Sequence, residues 1–594
     1  MNLPPPRPLY FGPAERACFG WLHAPAEGFV APLGLVICPP FGFEEVCAHR
    51  SLRELAAAAA RVGVPSLRVD LPGCGHSAGD DFQPQLWQAW QDGLSEAADG
   101  LRAAFGVTHV VFLGVRLGAT LAMLTAAART DVAGVVAIAP VMSGRAYLRE
   151  LALLEAAASP GAEEVDGLVQ ATGFVLTEST AAALRAVDLR APQRPPAPRM
   201  LLVDRDDLPA SDETAAAFRR AGAAVDVARW PGYLRMMDDP QRCEVPLVML
   251  EGIAATLSRW TAEIDAATPR PDAFAPGPRW RDTLSLREQG VAIVERPVRV
   301  PTAGGALFGV LAEPERAAEG QPALVMLTAG AVHAIGPNRL WVRLARRWAA
   351  RGRTVLRVDL SGIGDSPPAP GAEEQVVYSR QALDDVRATI DFIRHEHGAG
   401  AVHLIGLCSG AYHALKAAVQ GQPIAGAVIV NPLTYFWHDG DALKDVRDFE
   451  VFKLSARYRY KFFSVNAWRR LLRGQLDPAI VIEVMLRRVG AALTAWWPDL
   501  RRALGRPLRE DIAAELAAAW KAGIRLHLLF ACPHPGLALF QQQGGRAVER
   551  LRASGAFDRH LVHGADHTFT RWHHRERLVA LIDRCLGEAV APGA

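Results

Sequence analysis

Short apolar runs alternate with amphipathic stretches along most of the chain. In the first half, LGLVICPPFG (33–42) precedes the helical pattern LRELAAAAARVG (52–63). In the second half, ALVMLTAGAV (323–332) precedes the helical pattern LWVRLARRWAARG (340–352). Apolar strand-length runs separated by helical patterns predict parallel strands joined by right-handed crossovers. We therefore predict the α/β fold class, with mostly parallel, doubly wound sheets.

The same pattern of strings occurs twice. VPSLRVDLPGCGHS (64–77) matches RTVLRVDLSGIGDS (353–366), and VVFLGVRLGATLA (110–122) matches VHLIGLCSGAYHA (402–414). The offset stays at about 290 residues between the matching strings. A constant offset of this length predicts a tandem duplication of one domain design.

A change in composition marks the boundary between the two predicted domains. A stretch rich in Pro, Gly and charge, 264–290, is typical of a linker and separates a first domain, 1–263, from a second domain, 291–594. The second domain is predicted to open with an antiparallel hairpin at 291–314. Helical periodicity at about 435–522 predicts an insertion between two strands of its sheet.

Charge and cysteine usage narrow the class of protein. The 594 residues include 65 Lys and Arg against 63 Asp and Glu, and 22% are charged, which argues against disorder and against a nucleic-acid partner. The eight cysteines are scattered and form no disulfide framework or CxxC pair. We find neither a signal sequence nor an apolar run of about 18 residues, so we expect a cytoplasmic protein without a membrane span.

The third strand of the second copy ends in a turn that carries chemistry. Gly406-Leu407-Cys408-Ser409-Gly410 runs directly into an Ala-rich helix. Two glycines at this spacing permit a strained strand-to-helix turn that lifts the middle side chain above the sheet. The helix N-terminus favours a thiolate there. The spacing predicts Cys408 as a nucleophile, with the backbone N–H of Ser409 in an oxyanion hole; a buried structural cysteine is the alternative.

With these residues the chain resembles the α/β-hydrolase superfamily in both halves. Three further strings stand where that family places its parts: TAGAVHAIGPNR (328–339), DLSGIGDS (359–366) and GADHTF (564–569). The resemblance implies two tandem α/β-hydrolase domains, with the 435–522 insertion as a helical cap. It also implies His567 as the catalytic base and an oxyanion donor near Gly330 and Ala331.

Longer strings indicate a narrower resemblance. LPGCGHSAGDDF and PVMSGRAYL (140–148) in the first copy, and GPNRLWVRLARR and GLCSGAY in the second, are similar to the paired hydrolases associated with exosortase A systems.

The residue that orients His567 is left open by the sequence. His534 occupies the position at which the family's string carries the aspartate of the triad. A neutral imidazole at that position can fix the tautomer of His567 but stabilises an imidazolium poorly. Asp439 or Asp441 is the alternative acid. A cysteine nucleophile depends on this acid less than a serine nucleophile does, so a Cys–His dyad without an acid is also viable. We expect no metal at His534, because no further ligands stand at suitable spacing.

The first copy lacks the residues of this chemistry. Arg116 stands at the position of the nucleophile and cannot attack a carbonyl, because it stays protonated. The segment that matches GADHTF is RWPGYLRMMDD (229–239), which has no histidine. We expect a degenerate domain that acts as a structural partner or lid, or in which Arg116 binds an anion. Asp204, Asp206 and Asp207 are predicted to be loop charges or partners of Arg116.

These features lead to two classes of function. The first is a hydrolase of acyl esters or thioesters that works through an acyl-Cys408 intermediate, with acyl transfer as an alternative and no cofactor. A basic, aromatic segment at 453–509 is either a solvated helix face or a docking surface for a CoA-linked or carrier-linked acyl substrate. The second class is a non-catalytic scaffold. The oligomeric state is not predicted by the sequence.

Overall fold

The computed structural model describes most of both halves of the chain. Its internal contacts divide the chain into two compact units. The first unit consists of Met1–Arg299, Phe308–Ala318 and Ala331–Arg357. The second unit consists of Val300–Leu307, Glu319–Gly330 and Val358–Ala594. The predicted boundaries at 263 and 291 stay a prediction. The described residues are 3–27, 30–158, 167–209, 211–265, 279–315, 321–438, 441, 499, 501–502, 504, 506 and 508–587.

The first sheet is mostly parallel. Its order within the described residues is β1-β2-β4-β3-β5-β6-β9-β10, antiparallel only from β1 to β4, and β7 and β8 form a separate antiparallel hairpin. The strands are β1 (Arg7–Phe11), β2 (Cys18–His23), β3 (Leu33–Cys38), β4 (Ser66–Asp70), β5 (His109–Val115), β6 (Val132–Ile138), β7 (Leu168–Ala171), β8 (Phe174–Thr177), β9 (Arg199–Val203) and β10 (Ala224–Ala228).

Helices connect these strands and cover both faces of the sheet. Alternate residues of β5 face opposite cores: Val110 and Phe112 belong to one apolar cluster, Val111 and Leu113 to the other. Burial on both faces explains why this strand is a continuous apolar run. The helices are α1 (Phe43–Arg61), α2 (Leu86–Phe105), α3 (Leu117–Ala127), α4 (Gly144–Ala158), α5 (Glu178–Arg185), α6 (Ser211–Arg220), α7 (Tyr233–Met236) and α8 (Leu247–Asp265).

The second sheet has the order β11-β12-β13-β15-β14-β16-β17-β18-β19. From β12 onward this order corresponds position by position to that of the first sheet, and β14 to β19 pair in parallel. The strands are β11 (Leu284–Glu288), β12 (Val291–Thr302), β13 (Gly305–Pro314), β14 (Ala323–Leu327), β15 (Val355–Val358), β16 (Val402–Leu407), β17 (Gly426–Val430), β18 (Arg525–Cys532) and β19 (Phe557–His563).

Six further helices lie among the described residues of the second half. Two of them begin directly after Cys408 and His534. They are α9 (Leu340–Ala349), α10 (Gln381–Glu396), α11 (Ser409–Val419), α12 (Ile512–Lys521), α13 (Pro535–Ala553) and α14 (Trp572–Cys585). Among the helices that the structure describes, none combines the length and apolar character needed to cross a membrane.

The repeated loop Asp-Leu-x-Gly-x-Gly-x-Ser closes on itself through the same hydrogen bonds in both copies. The carboxylate of Asp70 accepts the backbone N–H of His76 at 2.8 Å, and the Ser77 hydroxyl donates to the Asp70 carbonyl. In the second copy Asp359 accepts from the backbone of Asp365 and from the Ser366 hydroxyl. The two strings therefore form the same self-bonded turn, one after β4 and the other after β15.

The fold class and the hairpin at 291–314 are confirmed, whereas one part of the linker prediction is wrong. Leu284–Glu288, within the predicted linker, is strand β11, antiparallel to β12. Its Leu-Ser-Leu-Arg-Glu alternation is typical of a half-exposed edge strand, and the Pro-rich composition of 266–278 masks that signal. Residues 266–278, most of the predicted cap at 435–522 and most of the basic segment at 453–509 lie outside the described residues.

Candidate active site

Cys408 lies in a strained turn between β16 and α11. Its backbone has φ 58° and ψ −116°, a conformation that residues other than glycine rarely adopt. A Cβ on Gly406 would lie 2.1 Å from the backbone of Gly410, and one on Gly410 would lie 2.6 Å from the carbonyl oxygen of Thr328. The two glycines thus let the strand, the turn and the helix pack together, as the spacing predicts for a nucleophile elbow.

Arg116 occupies the same turn in the first unit. Its φ of 53° and ψ of −120° reproduce the conformation of Cys408. A Cβ on Gly118 would lie 2.2 Å from the carbonyl oxygen of Pro39, which follows β3 as Thr328 follows β14. The elbow geometry is therefore present in both units, with an arginine at the turn in the first and a cysteine in the second.

Two glutamates neutralise the Arg116 guanidinium. Its Nε donates to Glu44 at 2.8 Å and its Nη2 to Glu150 at 2.6 Å, and the Tyr147 hydroxyl donates to Glu44. Burial alone would lower the pKa of Arg116, but the charges of Glu44, Tyr233 and Glu150 outweigh it and raise that pKa. An added anion would have to displace these partners, so the geometry favours a structural role over the predicted anion site.

The predicted acidic partners of Arg116 make other contacts. Asp204 pairs with Arg229 at 3.2 Å, and Asp207 pairs with Arg205 at 2.7 Å. Asp206 accepts the backbone N–H groups of Gly232 and Tyr233. These three are thus loop charges, the first of the two alternatives left open by the sequence.

His567 and His534 are hydrogen-bonded to each other in the second unit. The Nε2 of His534 lies 2.8 Å from the Nδ1 of His567, and the two rings are nearly parallel, 13° apart. His534 is 2% exposed and caps α13, where its Nδ1 accepts the backbone N–H of Gly536 at 3.1 Å. Burial, and then the charge of His567, lower the pKa of His534 to about 2. His534 is therefore neutral at physiological pH.

These bonds fix the tautomers of both rings. A backbone N–H is always a donor, so the Nδ1 of His534 carries a lone pair and its single proton lies on Nε2. That Nε2–H then donates to the Nδ1 of His567. A neutral His567 consequently carries its own proton on Nε2. An aspartate at position 534 would impose the reverse arrangement, with the proton of His567 on Nδ1.

Asn431 connects the loop of His567 to the elbow of Cys408. It is fully buried directly after β17, donates from Nδ2 to the His567 carbonyl at 2.7 Å and accepts the Ala531 N–H on Oδ1. The Cys408 N–H in turn donates to the carbonyl of Val430, the residue before Asn431. Cys408 and His567 are thus bonded through their backbones to two consecutive residues, Val430 and Asn431, at the carboxyl end of β17. Asn431 is a positioning residue that the sequence analysis missed.

The loop after β14 is clamped to the elbow by Ser409. The Gly330 N–H donates to the Ser409 hydroxyl oxygen at 2.8 Å, and that hydroxyl lies 3.5 Å from the Thr328 carbonyl. The Gly330 amide, predicted as an oxyanion donor, is therefore engaged by a side chain of the elbow itself. The backbone N–H of Ser409 and that of Ala331 remain predictions as oxyanion donors.

Tyr378 is a second residue that the sequence analysis missed. Its phenol is buried and stacks on Trp437 at 4.3 Å. Burial, followed by the charge of Cys408, raises the pKa of Tyr378 well above its ordinary value, so the phenol stays protonated near the thiol. His413 on α11 fixes the adjacent backbone by a 2.9 Å contact from Nε2 to the Val377 carbonyl. Tyr378 lies on a loop that contains no recognisable motif, so its position could not be predicted from the sequence.

Asp441, one of the two alternative acids, pairs with His438. Asp441 accepts the His438 N–H at 2.8 Å and lies 3.6 Å from the His438 ring. Asp439 lies outside the described residues. The side chain that contacts Nδ1 of His567 is therefore an imidazole, and Cys408 is connected to the loop of His567 through the backbone of Val430 and the side chain of Asn431.

One family of known proteins matches the segment that carries the elbow. Residues 323–463 match the family described as Hydrolase_4: Serine aminopeptidase, S33. The family is named for serine, whereas this chain has Cys408 between the two glycines. No curated protein sequence matches the chain.

Solved structures with a similar arrangement are distant in sequence. Est1E from Butyrivibrio proteoclasticus is 18% identical, covers 44% of this chain and 99% of its own, and has a TM-score of 0.33. The esterase PF2001 from Pyrococcus furiosus is 14% identical over 49% of this chain and 90% of its own, with a TM-score of 0.28. A dienelactone hydrolase from Anabaena variabilis is 13% identical over 49% and 95%, with a TM-score of 0.28.

The family match, the two sheet orders and the paired elbows agree with one another. The tandem duplication and the exosortase-associated type stay predictions. The resemblance of this chain to the α/β-hydrolase superfamily is confirmed, through the segment 323–463 that contains Cys408.

Proposed function

We propose that the second unit is a hydrolase of activated acyl groups, acyl thioesters above all, that works through an acyl-Cys408 intermediate. The observation that carries the proposal is the hydrogen bond from His534 to His567 beside an intact nucleophile elbow. That bond determines which proton transfers His567 can perform, and therefore which substrates the site can use.

The attacking species is the Cys408 thiolate. Because the Nε2 of a neutral His567 already carries a proton, it donates to the sulfur rather than removing the thiol proton. The thiol proton leaves to solvent, and the thiolate is stabilised by the N-terminus of α11, by His567 Nε2–H and by the Tyr378 phenol. A thiol can ionise in this way near neutral pH, which an alcohol cannot do.

The leaving group determines the substrate class. The thiolate attacks the acyl carbon, the new C–S bond forms, and the bond to the leaving group breaks with its electron pair. A thiolate leaves unprotonated and takes its proton from water later, whereas an alkoxide needs a general acid at the moment of cleavage. His567 serves poorly as that acid, because its imidazolium would place Nδ1–H against the Nε2–H of His534. Thioesters and activated esters are therefore the favoured substrates.

Release of the acyl group is expected to be slow. Hydrolysis of acyl-Cys408 requires a base for the incoming water, and the lone pair on Nε2 of His567 is not available in the tautomer that His534 imposes. The acyl-enzyme should consequently accumulate. A second thiol as acceptor needs no such base, so acyl transfer is the second candidate function, and the tautomer observation favours it equally.

Intact-mass spectrometry of the full-length chain tests this proposal. After incubation with a panel of acyl-CoA thioesters and p-nitrophenyl esters, we expect one acyl adduct per chain, absent from Cys408→Ala and retained by Cys532→Ala. Release of free acid indicates hydrolysis, and release only on addition of a thiol acceptor indicates transfer. A chain that forms no adduct with any of these substrates, or forms it equally in Cys408→Ala, would contradict the proposal and favour the scaffold.

Replacing Tyr378 with phenylalanine should slow alkylation of Cys408. The substitution removes the phenolic proton near the sulfur while the ring stays stacked on Trp437. A hydrogen bond to a charged group contributes about 1.5 kcal/mol, so iodoacetamide should react roughly tenfold more slowly at neutral pH. The rate measured against pH should show the thiol pKa moving up. Tyr412→Phe, which removes a hydroxyl from a ring packed edge-on against Tyr378, is the control; equal rates in wild type and Tyr378→Phe would refute the role.

A further inference from the structure

Two histidines and a cysteine of the second unit lie close together on β18, β19 and α14. His527 is near the start of β18, His560 is on β19 and Cys585 ends α14. One ligand atom from each lies within 4.8 Å of the other two. In the parallel pairing of β18 with β19, Asp558 faces His527 and His560 faces Leu529, so both histidines project from the same face of the sheet.

A carboxylate supports this cluster. The Oδ2 of Asp558 lies 3.1 Å from the Nδ1 of His527, whose side chain is about nine-tenths buried. A carboxylate on one nitrogen of a histidine fixes the ring so that the other nitrogen can bind a metal, which is the usual second partner of a metal-binding histidine. The cluster thus contains three possible metal ligands, and Asp558 orients one of them, His527.

We propose that His527, His560 and Cys585 bind one divalent ion of the zinc class. Two imidazoles and a thiolate are ligands that zinc prefers, and a water completes a tetrahedral set of four. Zinc–nitrogen and zinc–sulfur bonds of about 2.0–2.3 Å require ligand atoms somewhat closer together than 4.8 Å. Small rotations of the three side chains supply that contraction. On binding, the thiol proton of Cys585 passes to solvent and the sulfur lone pair forms the metal bond.

Charged groups of both signs lie near Cys585. Besides Asp558, the guanidinium groups of Arg584 and Arg525 lie near Cys585. Burial, followed by the charge of Asp558, raises the pKa of Cys585 to about 12, so without a metal the thiol is protonated. The sequence analysis missed this site because its ligands are 33 and 25 residues apart and form no short motif.

A second cluster in the first unit offers a comparison. Ligand atoms of Glu45, His49 and His333 also lie within 4.8 Å of one another. The rings of His49 and His333, however, stack at 4.1 Å with an angle of 16° between them. Ring lone pairs lie in the ring plane, so two parallel stacked rings do not aim at one point between them. This cluster contains no sulfur, which makes it a spectroscopic control.

A metal at the proposed site would tie together the two elements that flank His567. The loop 564–571 carries His567 and is held between β19, which contains His560, and α14, which ends at Cys585. Cross-linking both elements to β18 would restrict the opening of that loop. The metal proposal itself does not depend on the proposed hydrolase activity.

Cobalt titration of the full-length chain, stripped of metal with EDTA, tests the site. We expect one equivalent of Co²⁺ to produce a thiolate-to-cobalt charge-transfer band in the near ultraviolet, and Zn²⁺ to displace it. Cys585→Ser should abolish the band, and His560→Gln, at a half-exposed position, should weaken affinity at least tenfold with an unchanged circular dichroism spectrum. Cys532→Ser and the double variant Glu45→Gln, His49→Gln should keep both band and affinity.

Other outcomes would overturn the site. No charge-transfer band in the wild-type chain, or a band that persists in Cys585→Ser, means that Cys585 does not bind the ion. Loss of binding in the Glu45 and His49 double variant, with binding retained in His560→Gln, would assign the ion to the other cluster. The melting temperature should also rise with Zn²⁺ in the wild type and not in Cys585→Ser.

Discussion

Replacing Cys408 with serine should reduce the turnover of acyl thioesters by about 10³-fold or more. A serine hydroxyl ionises far above neutral pH, so it attacks a carbonyl only if a base removes its proton during the attack. The base available is His567, whose Nε2 already carries the proton that the His534 hydrogen bond places there. In a serine protease, the wrong tautomer of the catalytic histidine costs about 10⁴ in turnover. In the proposed mechanism, a histidine at position 534 therefore requires a cysteine at position 408.

The measurement is kcat/KM with an acyl thioester, with single-turnover kinetics to separate acylation from release. Cys532→Ser, which makes the same change in a half-buried cysteine at the end of β18, should leave kcat/KM within about threefold of wild type. A Cys408→Ser variant within tenfold of wild type would show that His567 can act as a base, and the tautomer argument would then be wrong.

The elements near the elbow were predictable because they depend on local spacing. The Gly-x-Cys-x-Gly turn, the strand before it and the helix after it follow from a few consecutive residues and from the close backbone packing at Gly406 and Gly410. The same reasoning identified the degenerate turn at Arg116. The mostly parallel sheets followed from the alternation of strand-length apolar runs with helical patterns, whereas the order of the strands was not predicted.

The polar partners could not be predicted because they come from distant parts of the chain. Arg116 is bonded to Glu44 and Glu150, which are 72 and 34 residues away, and neither glutamate belongs to a recognisable motif. Asn431 is 136 residues from the carbonyl that it holds. The sequence could place His534 at the position of the triad acid, but the direction of its hydrogen bond depends on the Gly536 amide, a property of the folded helix cap.

Replacing His534 with aspartate should raise the turnover of non-activated alkyl esters by about 10²–10³-fold. Aspartate is a favoured helix N-cap, so it can accept the Gly536 N–H and preserve the start of α13. Its carboxylate only accepts hydrogen bonds, so Nδ1 of His567 must carry the proton and Nε2 becomes free to act as a base. The carboxylate also stabilises the imidazolium that forms next, which neutral His534 cannot do. Both changes remove the obstacles to alkoxide departure and to attack by water.

The variant His534→Asn, whose side chain is isosteric with aspartate, separates the effect of the carboxylate from the effect of removing the imidazole. Its amide oxygen accepts the Gly536 N–H, which leaves the NH₂ group as a donor toward Nδ1 of His567 and keeps the wild-type tautomer. Asparagine should consequently give no gain, whereas aspartate should also restore activity to the Cys408→Ser variant and raise the pKa of His567 in an NMR titration. Equal rates for the aspartate and asparagine variants would show that the proton on His567 does not limit turnover. Because His534 stays neutral down to about pH 2, the wild-type pH–rate profile should contain no step that disappears in His534→Asn.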